Sequence, residues 1–139
     1  MSSIQTVGIV GAGTMGNGIA QACAVSGIRA VMVDISEAAV QKGLAALQSS
    51  LERLVKKDKL SAADRDAALA RVQGTTDYEA LKSADLVIEA ATENLELKIK
   101  ILRQLDGLLP AETLIATNTS SISITQLAAV TARAERFIG

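Results

Sequence analysis

The sequence predicts an α/β domain in which an open, mostly parallel sheet carries helices on both faces. Three observations lead there. Short apolar runs alternate with amphipathic helical patterns from end to end, in the order βαβ(αα)βαβαβαβ. The opening run VGIVGAGTMGNGIAQACAVSG, Val7 to Gly27, passes from strand to helix through Gly11, Gly13, Gly16 and Gly18. After the second strand two long helical patterns follow one another, more than a plain crossover requires.

Each element has its own signal. Thr6–Val10 is an apolar run ending in glycine, as a buried parallel strand should be. Thr14 to Ser26 places Met15, Ile19, Ala20 and Cys23 at helical spacing and stops at Gly27. Ala30–Val33 is a second strand, closed by Asp34, and Ser36 is a fitting N-cap for the next helix. Val40, Leu44, Leu47, Leu51 and Leu54 give that helix one apolar stripe. Ser61 to Asp64 resembles a capping box that opens a further helix to about Val72. The pair is expected to form a helical hairpin insertion projecting from the sheet.

Val72–Thr75 is a weak third strand, Asp77 to Lys82 a short helix, and DLVIEAA a strong fourth strand. Asn94 to Leu109 is amphipathic and ends before Pro110. Thr113–Thr117 is a fifth strand, Ser123 caps a helix to about Val130, and Arg136-Phe137-Ile138 begins a sixth strand.

Composition narrows the function. The 139 residues are 49% hydrophobic with a formal net charge of −1, which gives no reason to expect nucleic acid or a membrane as partner. Tyr78 and Phe137 are the only aromatic residues, so stacking platforms for single strands are missing. The single cysteine, Cys23, cannot form an internal disulfide, which fits a cytoplasmic setting. On the apolar face of the first helix it is expected to be a small buried residue, not a nucleophile. No metal site is indicated.

The glycines carry the chemistry. Gly11-Ala12-Gly13-Thr14-Met15-Gly16 is GxGxxG, placed after a strand and opening a helix. Gly11 permits a tight turn, Gly13 lets a pyrophosphate approach the backbone, and Gly16 lets the helix pack close to the strands. The helix N-terminus adds unpaired N–H groups for the phosphates. Asp34 follows Gly16 by 18 residues, at the end of the second strand, where a carboxylate accepts hydrogen bonds from an adenosine ribose. The expected architecture is thus Rossmann-type and doubly wound. Asp34 would repel a 2′-phosphate, and Ile35-Ser36 offers no cation for one, so NAD is favoured over NADP.

The segments VGIVGAGTMGNGIAQACAVSG, VDIS, LVIEAATENLELKIKIL and ATNTSSISITQLA together resemble the NAD-binding half of 3-hydroxyacyl-CoA dehydrogenases, most of all bacterial 3-hydroxybutyryl-CoA dehydrogenases. The resemblance spans essentially the whole chain. It implies oxidation of an L-3-hydroxyacyl-CoA to the 3-ketoacyl-CoA with hydride passed to NAD, or the reverse, in fatty acid or butyrate-type metabolism. By the same resemblance Glu93 and Lys98 lie near the nicotinamide end of the cofactor. On the residues alone they read as charges at an exposed helix start. Ser120, in Asn118-Thr119-Ser120-Ser121, matches the serine that contacts nicotinamide and the substrate's C3 oxygen; a hydroxyl can donate to a ketone and accept from an alcohol. Ser50 and Lys57 match positions that contact CoA. Independently, Arg53, Lys56, Lys57 and Lys59 surround one anion, Asp58, at the hairpin tip, a cluster able to attract phosphates.

Removing a hydroxyl proton needs a base, usually histidine, and the chain has none. The resemblance implies a histidine just beyond Gly139 and then an all-helical second domain that forms a homodimer. The expectation is therefore one NAD-binding domain, residues 1–139, truncated from an acyl-CoA dehydrogenase, inactive alone and prone to self-association through its unfinished strand edge. Two other readings remain open here. One is a non-catalytic nucleotide-binding or sensing module; the other is a 3-hydroxyisobutyrate- or 6-phosphogluconate-type dehydrogenase domain, which also follows its glycine turn with Met-Gly.

Overall fold

The computed structural model describes residues 4–91, 95–110, 113–117 and 137–138. Its strands are β1 (Thr6–Val10), β2 (Arg29–Val33), β3 (Val72–Thr75), β4 (Leu86–Glu89), β5 (Leu114–Thr117) and β6 (Phe137–Ile138). The helices are α1 (Thr14–Val25), α2 (Glu37–Lys56), α3 (Ala62–Ala70) and α4 (Leu95–Leu108), with a 3₁₀ turn over Tyr78–Ser83. All six strands are parallel, in the order β3-β2-β1-β4-β5-β6. Strand order thus reverses between β1 and β4, where doubly wound sheets open a crevice at their carboxyl ends.

Alternation along the strands sends side chains to two cores. Val7, Ile9, Ala30 and Met32 pack with Ala20 and Ala24 of α1, Leu47 and Leu51 of α2 and Ala68 of α3. Val10, Val31, Val33 and Val87 face the other way, onto Leu81 and onto Ile101, Leu102 and Leu105 of α4. Helices therefore cover both faces, as expected.

Helix ends follow local chemistry. Ser36 accepts the Ala39 amide at 3.2 Å and Ser61 accepts the Asp64 amide at 3.0 Å, so both expected N-caps are present. At the end of α1, Gly27 takes φ +87°, and the Ile28 amide donates back to the Cys23 carbonyl at 2.9 Å. The tip of the hairpin repeats this device with Asp58 at φ +56° and Lys59 donating to the Leu54 carbonyl at 2.9 Å.

Two expectations need correction. The α2–α3 hairpin does not project from the sheet along its length: Leu47, Leu51 and Ala68 are fully buried in the core shared with α1. Its apolar stripe has to be covered, and α1 and β3 cover it. Met15 is 54% exposed; the stripe that α1 buries is Gly16-Ala20-Ala24, narrow because the helix lies so close to the sheet. The short helix expected after Asp77 is present as a 3₁₀ helix, Tyr78–Ser83, with the Asp77 carboxylate accepting the Glu79 amide at 3.0 Å. The helix expected from Ser123 to Val130 lies outside the described residues.

Candidate dinucleotide site

The glycine turn joins β1 to α1 at the crevice. Gly11 adopts φ +114°, and its amide donates to the Val33 carbonyl at 2.7 Å, pinning the turn to the end of β2. A Cβ on Gly16 would stand 1.9 Å from the Gly11 carbonyl oxygen, so only glycine lets α1 start this close to the turn. Gly13 differs. It has extended backbone, and a Cβ there would meet nothing within 4 Å. Its missing side chain leaves open space above the amides that begin α1, where a pyrophosphate can approach.

Asp34 closes the other side. One carboxylate oxygen accepts the Ala12 amide at 3.1 Å and the other accepts the Ser36 amide at 3.1 Å. Two cavities meet at this residue. One, of about 300 Å³, is lined by Asp34, Ile35, Tyr78, Leu97, Lys100, Ile101 and Gln104 together with Val10, Gly11, Val33 and Ala91, and its mainly apolar walls suit a flat ring. The other, of about 370 Å³, runs from Gly11-Ala12-Gly13-Thr14 to Ala39, Lys42, Gly43 and Ala46 of α2. Burial raises the pKa of the Tyr78 phenol above its ordinary value, and the Asp34 and Glu89 carboxylates add to the rise.

Lys42 and Lys100 have no signal in the chain around Asp34, where Ile35-Ser36 offers no cation. They come from α2 and α4, and the fold alone brings them to the cavities that flank the carboxylate. Glu89 was also missed. Its signal was a carboxylate on the same face as Val87 in an apolar strand, where a charge needs a partner. That partner is Lys98. Both side chains are fully buried and the Lys98 ammonium donates to Glu89 Oε1, so Lys98 does not sit at an exposed helix start. The remaining Glu89 oxygen accepts the Ala91 amide at 2.8 Å.

Glu93, Asn118 and Ser120 lie outside the described residues. Ser50 is half-buried on α2 and Lys57 is the exposed residue that ends it. Neither lines the shallow groove on that helix, which is formed by Ala46, Ser49, Glu52, Arg53 and Lys56. Cys23 is half-buried, and burial pushes its thiol up, away from the reactive thiolate. Among the described residues no helix is long and apolar enough to cross a membrane, and no cluster of acids and cysteine could hold a metal.

A parallel sheet with this strand order, a glycine turn opening a helix at its switch point and an acid fixed at the end of β2 define a dinucleotide-binding domain. The family model described as 3-hydroxyacyl-CoA dehydrogenase, NAD binding domain, matches residues 6–139, and the chain belongs to that family. It is 43% identical over 136 residues to a 3-hydroxybutyryl-CoA dehydrogenase of Bradyrhizobium diazoefficiens, covering 98% of this chain and 46% of the relative. It is 43% identical over 139 residues to a 3-hydroxyadipyl-CoA dehydrogenase of Escherichia coli, covering 29% of that protein. The crystal structure of (S)-3-hydroxybutyryl-CoA dehydrogenase from Ralstonia eutropha superposes with a TM-score of 0.95 at 68% identity, over 97% of this chain and 48% of the other. The chain thus spans about half the length, or less, of these relatives.

Proposed function

We propose that this chain is the cofactor-holding domain, residues 1–139, of an oxidoreductase that interconverts an L-3-hydroxyacyl-CoA, 3-hydroxybutyryl-CoA above all, and its 3-ketoacyl-CoA. The observation that carries the reading is the Asp34 carboxylate held against the glycine turn, in a chain that belongs to this NAD-binding family. Bound NAD supplies a hydride acceptor. The glycine turn, Gly11 to Gly16, takes the pyrophosphate on backbone amides, Lys42 adds a full positive charge beside it, and Asp34 accepts the adenosine ribose hydroxyls. The apolar cavity around Ile35 and Ile101 takes the adenine ring.

Glu93 and Lys98 are assigned to the nicotinamide end, and Ser120 to the nicotinamide and the substrate's C3 oxygen. Ser50 and Lys57 are assigned to CoA, with the neighbouring Arg53 and Lys56 adding attraction for its phosphates. As the alcohol carbon gives up its hydride, its hydroxyl proton must pass to a base. No imidazole exists among the 139 residues, so that base comes from outside them, and this chain alone is inactive. The whole enzyme is proposed to be a cytoplasmic homodimer.

Fluorescence titration of the chain with NADH and NADPH tests the cofactor assignment. Saturable binding with NADH preferred is expected; an NADPH preference or no binding would overturn it. With acetoacetyl-CoA and NADH, no oxidation of NADH is expected. A rate that scales with the concentration of this chain would show that its own residues supply the proton donor.

A further inference from the structure

A fully buried ion pair is a poor way to gain stability. Desolvating two charges offsets most of their attraction, and apolar residues of similar volume commonly do as well or better. Glu89 and Lys98 form such a pair beneath the crevice. The pair does more than neutralise charge. Glu89 Oε1 accepts the Lys98 ammonium from α4, while Oε2 accepts the Ala91 amide at 2.8 Å. The carboxylate is thereby clamped from the helix side and grips the turn that leaves β4.

That turn is part of the site. Ala91 lines both cavities that meet at Asp34. The Ala90 amide donates to the Val10 carbonyl at 2.9 Å, and the Ala90 oxygen and Ala91 Cα each stand 2.9 Å from where a Cβ on Gly11 would be. A small displacement of Ala90–Ala91 therefore either strikes the glycine turn or opens a gap along the common wall of the two cavities.

We propose that Glu89 is a positioning residue for the dinucleotide: held by Lys98, its carboxylate locks the Ala90–Ala91 turn in the shape that receives the cofactor. The inference rests on the NAD-binding reading. It assigns Glu89 no contact with the cofactor; the effect passes through the backbone of the turn.

Two neutral double variants separate this role from charge and from packing. Glu89→Met/Lys98→Met removes both charges and the acceptor for the Ala91 amide. Glu89→Gln/Lys98→Met removes both charges but keeps an amide oxygen as acceptor. Thermal unfolding and NADH affinity are measured on each, beside the parent chain. The Met/Met variant should unfold at or above the parent's temperature yet bind NADH at least about 10-fold more weakly, the size of one lost hydrogen bond's positioning effect. Both variants lack Lys98 alike, so the loss of any contact it makes with the cofactor cancels between them, and the Gln/Met variant should bind NADH about 10-fold more tightly than the Met/Met variant.

Parent-like NADH affinity in the Met/Met variant would overturn the inference and leave the cofactor reading intact. So would equal losses in both variants, which would assign the effect to the Lys98 charge, or a Met/Met chain that does not fold, which would make the pair structural. A parent chain that binds no NADH would overturn the cofactor reading, and this inference with it.

Discussion

Asp34 and Ala12 are joined across the mouth of the crevice, the carboxylate of one accepting the amide of the other at 3.1 Å. The bond couples the acid proposed to select the cofactor to the turn proposed to hold it. Asp34→Asn keeps an oxygen for Ala12 but removes the charge. NADH affinity should fall by about 10-fold, as for one weakened charge-assisted hydrogen bond. NADPH affinity should rise, because Lys42 and Lys100 line the flanking cavities and nothing then repels a 2′-phosphate. Adding Lys100→Gln, which leaves the pyrophosphate side unchanged, should cancel part of that gain, more so at low salt. Parallel NADH and NADPH titrations measure all of this; an unchanged preference in Asp34→Asn would refute the selecting role.

The glycine turn separates a folding requirement from a binding one. A Cβ on Gly16 would press on the Gly11 carbonyl oxygen at 1.9 Å, and backbone there cannot yield cheaply. Gly16→Ala should lower stability by about 3 kcal/mol or prevent folding, as overpacking against backbone does. Gly13→Ala has no neighbour within 4 Å and ordinary backbone angles, so its urea midpoint should match the parent's. Its methyl would instead occupy the approach to the amides of α1 and weaken NADH binding. Equal stability losses in the two variants would contradict this division.

The fold was legible because parallel strands and capped helices are local patterns. Thr6–Val10, the Ser36 and Ser61 caps and the Gly27 terminator could be read from neighbours in the chain. What could not be read depended on distant elements. Met15 fits an apolar helical spacing, but only the closeness of α1 to β1 decides that Gly16, Ala20 and Ala24 make the contact. The hairpin's helices were evident, while its docking on α1 and β3 was not. In the site, Asp34 and the glycines stand within one βαβ unit and declare themselves. Lys42 reaches one cavity from α2, Lys100 reaches the other from α4, and Glu89–Lys98 joins β4 to α4; no spacing rule signals those meetings.

Asp58 follows Lys57, the C-cap of α2, in the left-handed region, with φ +56°, at the exposed tip of the hairpin. Glycine adopts that conformation without steric cost. Asp58→Gly should therefore stabilise the chain by about 0.5 kcal/mol, raising its Tm by roughly 2 °C. It also removes the one anion among Arg53, Lys56, Lys57 and Lys59, so a phosphate-bearing ligand should bind the tip more tightly at low salt. Calorimetry and CoA titration against ionic strength test the two effects separately. A lower Tm would show that the aspartate side chain contributes more than its strained backbone loses.

Tyr78 should make the chain sensitive to alkali. Burial, with Asp34 and Glu89 nearby, pushes its phenol above the ordinary value near 10, so the unfolded chain ionises first as pH rises. The stability contributed by the neutral phenol is fully present below about 10 and is lost as pH climbs through the folded value. Cys23, also pushed up by burial, acts with the same sign from its lower starting point. Tyr78→Phe should remove the tyrosine part of the loss and leave the cysteine part. Because the chain has one tyrosine and no tryptophan, tyrosinate absorbance reports this residue alone. Its midpoint in the folded chain should lie above that of the urea-unfolded chain. Coincident midpoints would mean that Tyr78 is solvated and that the cavity beside Asp34 is more open than its walls indicate.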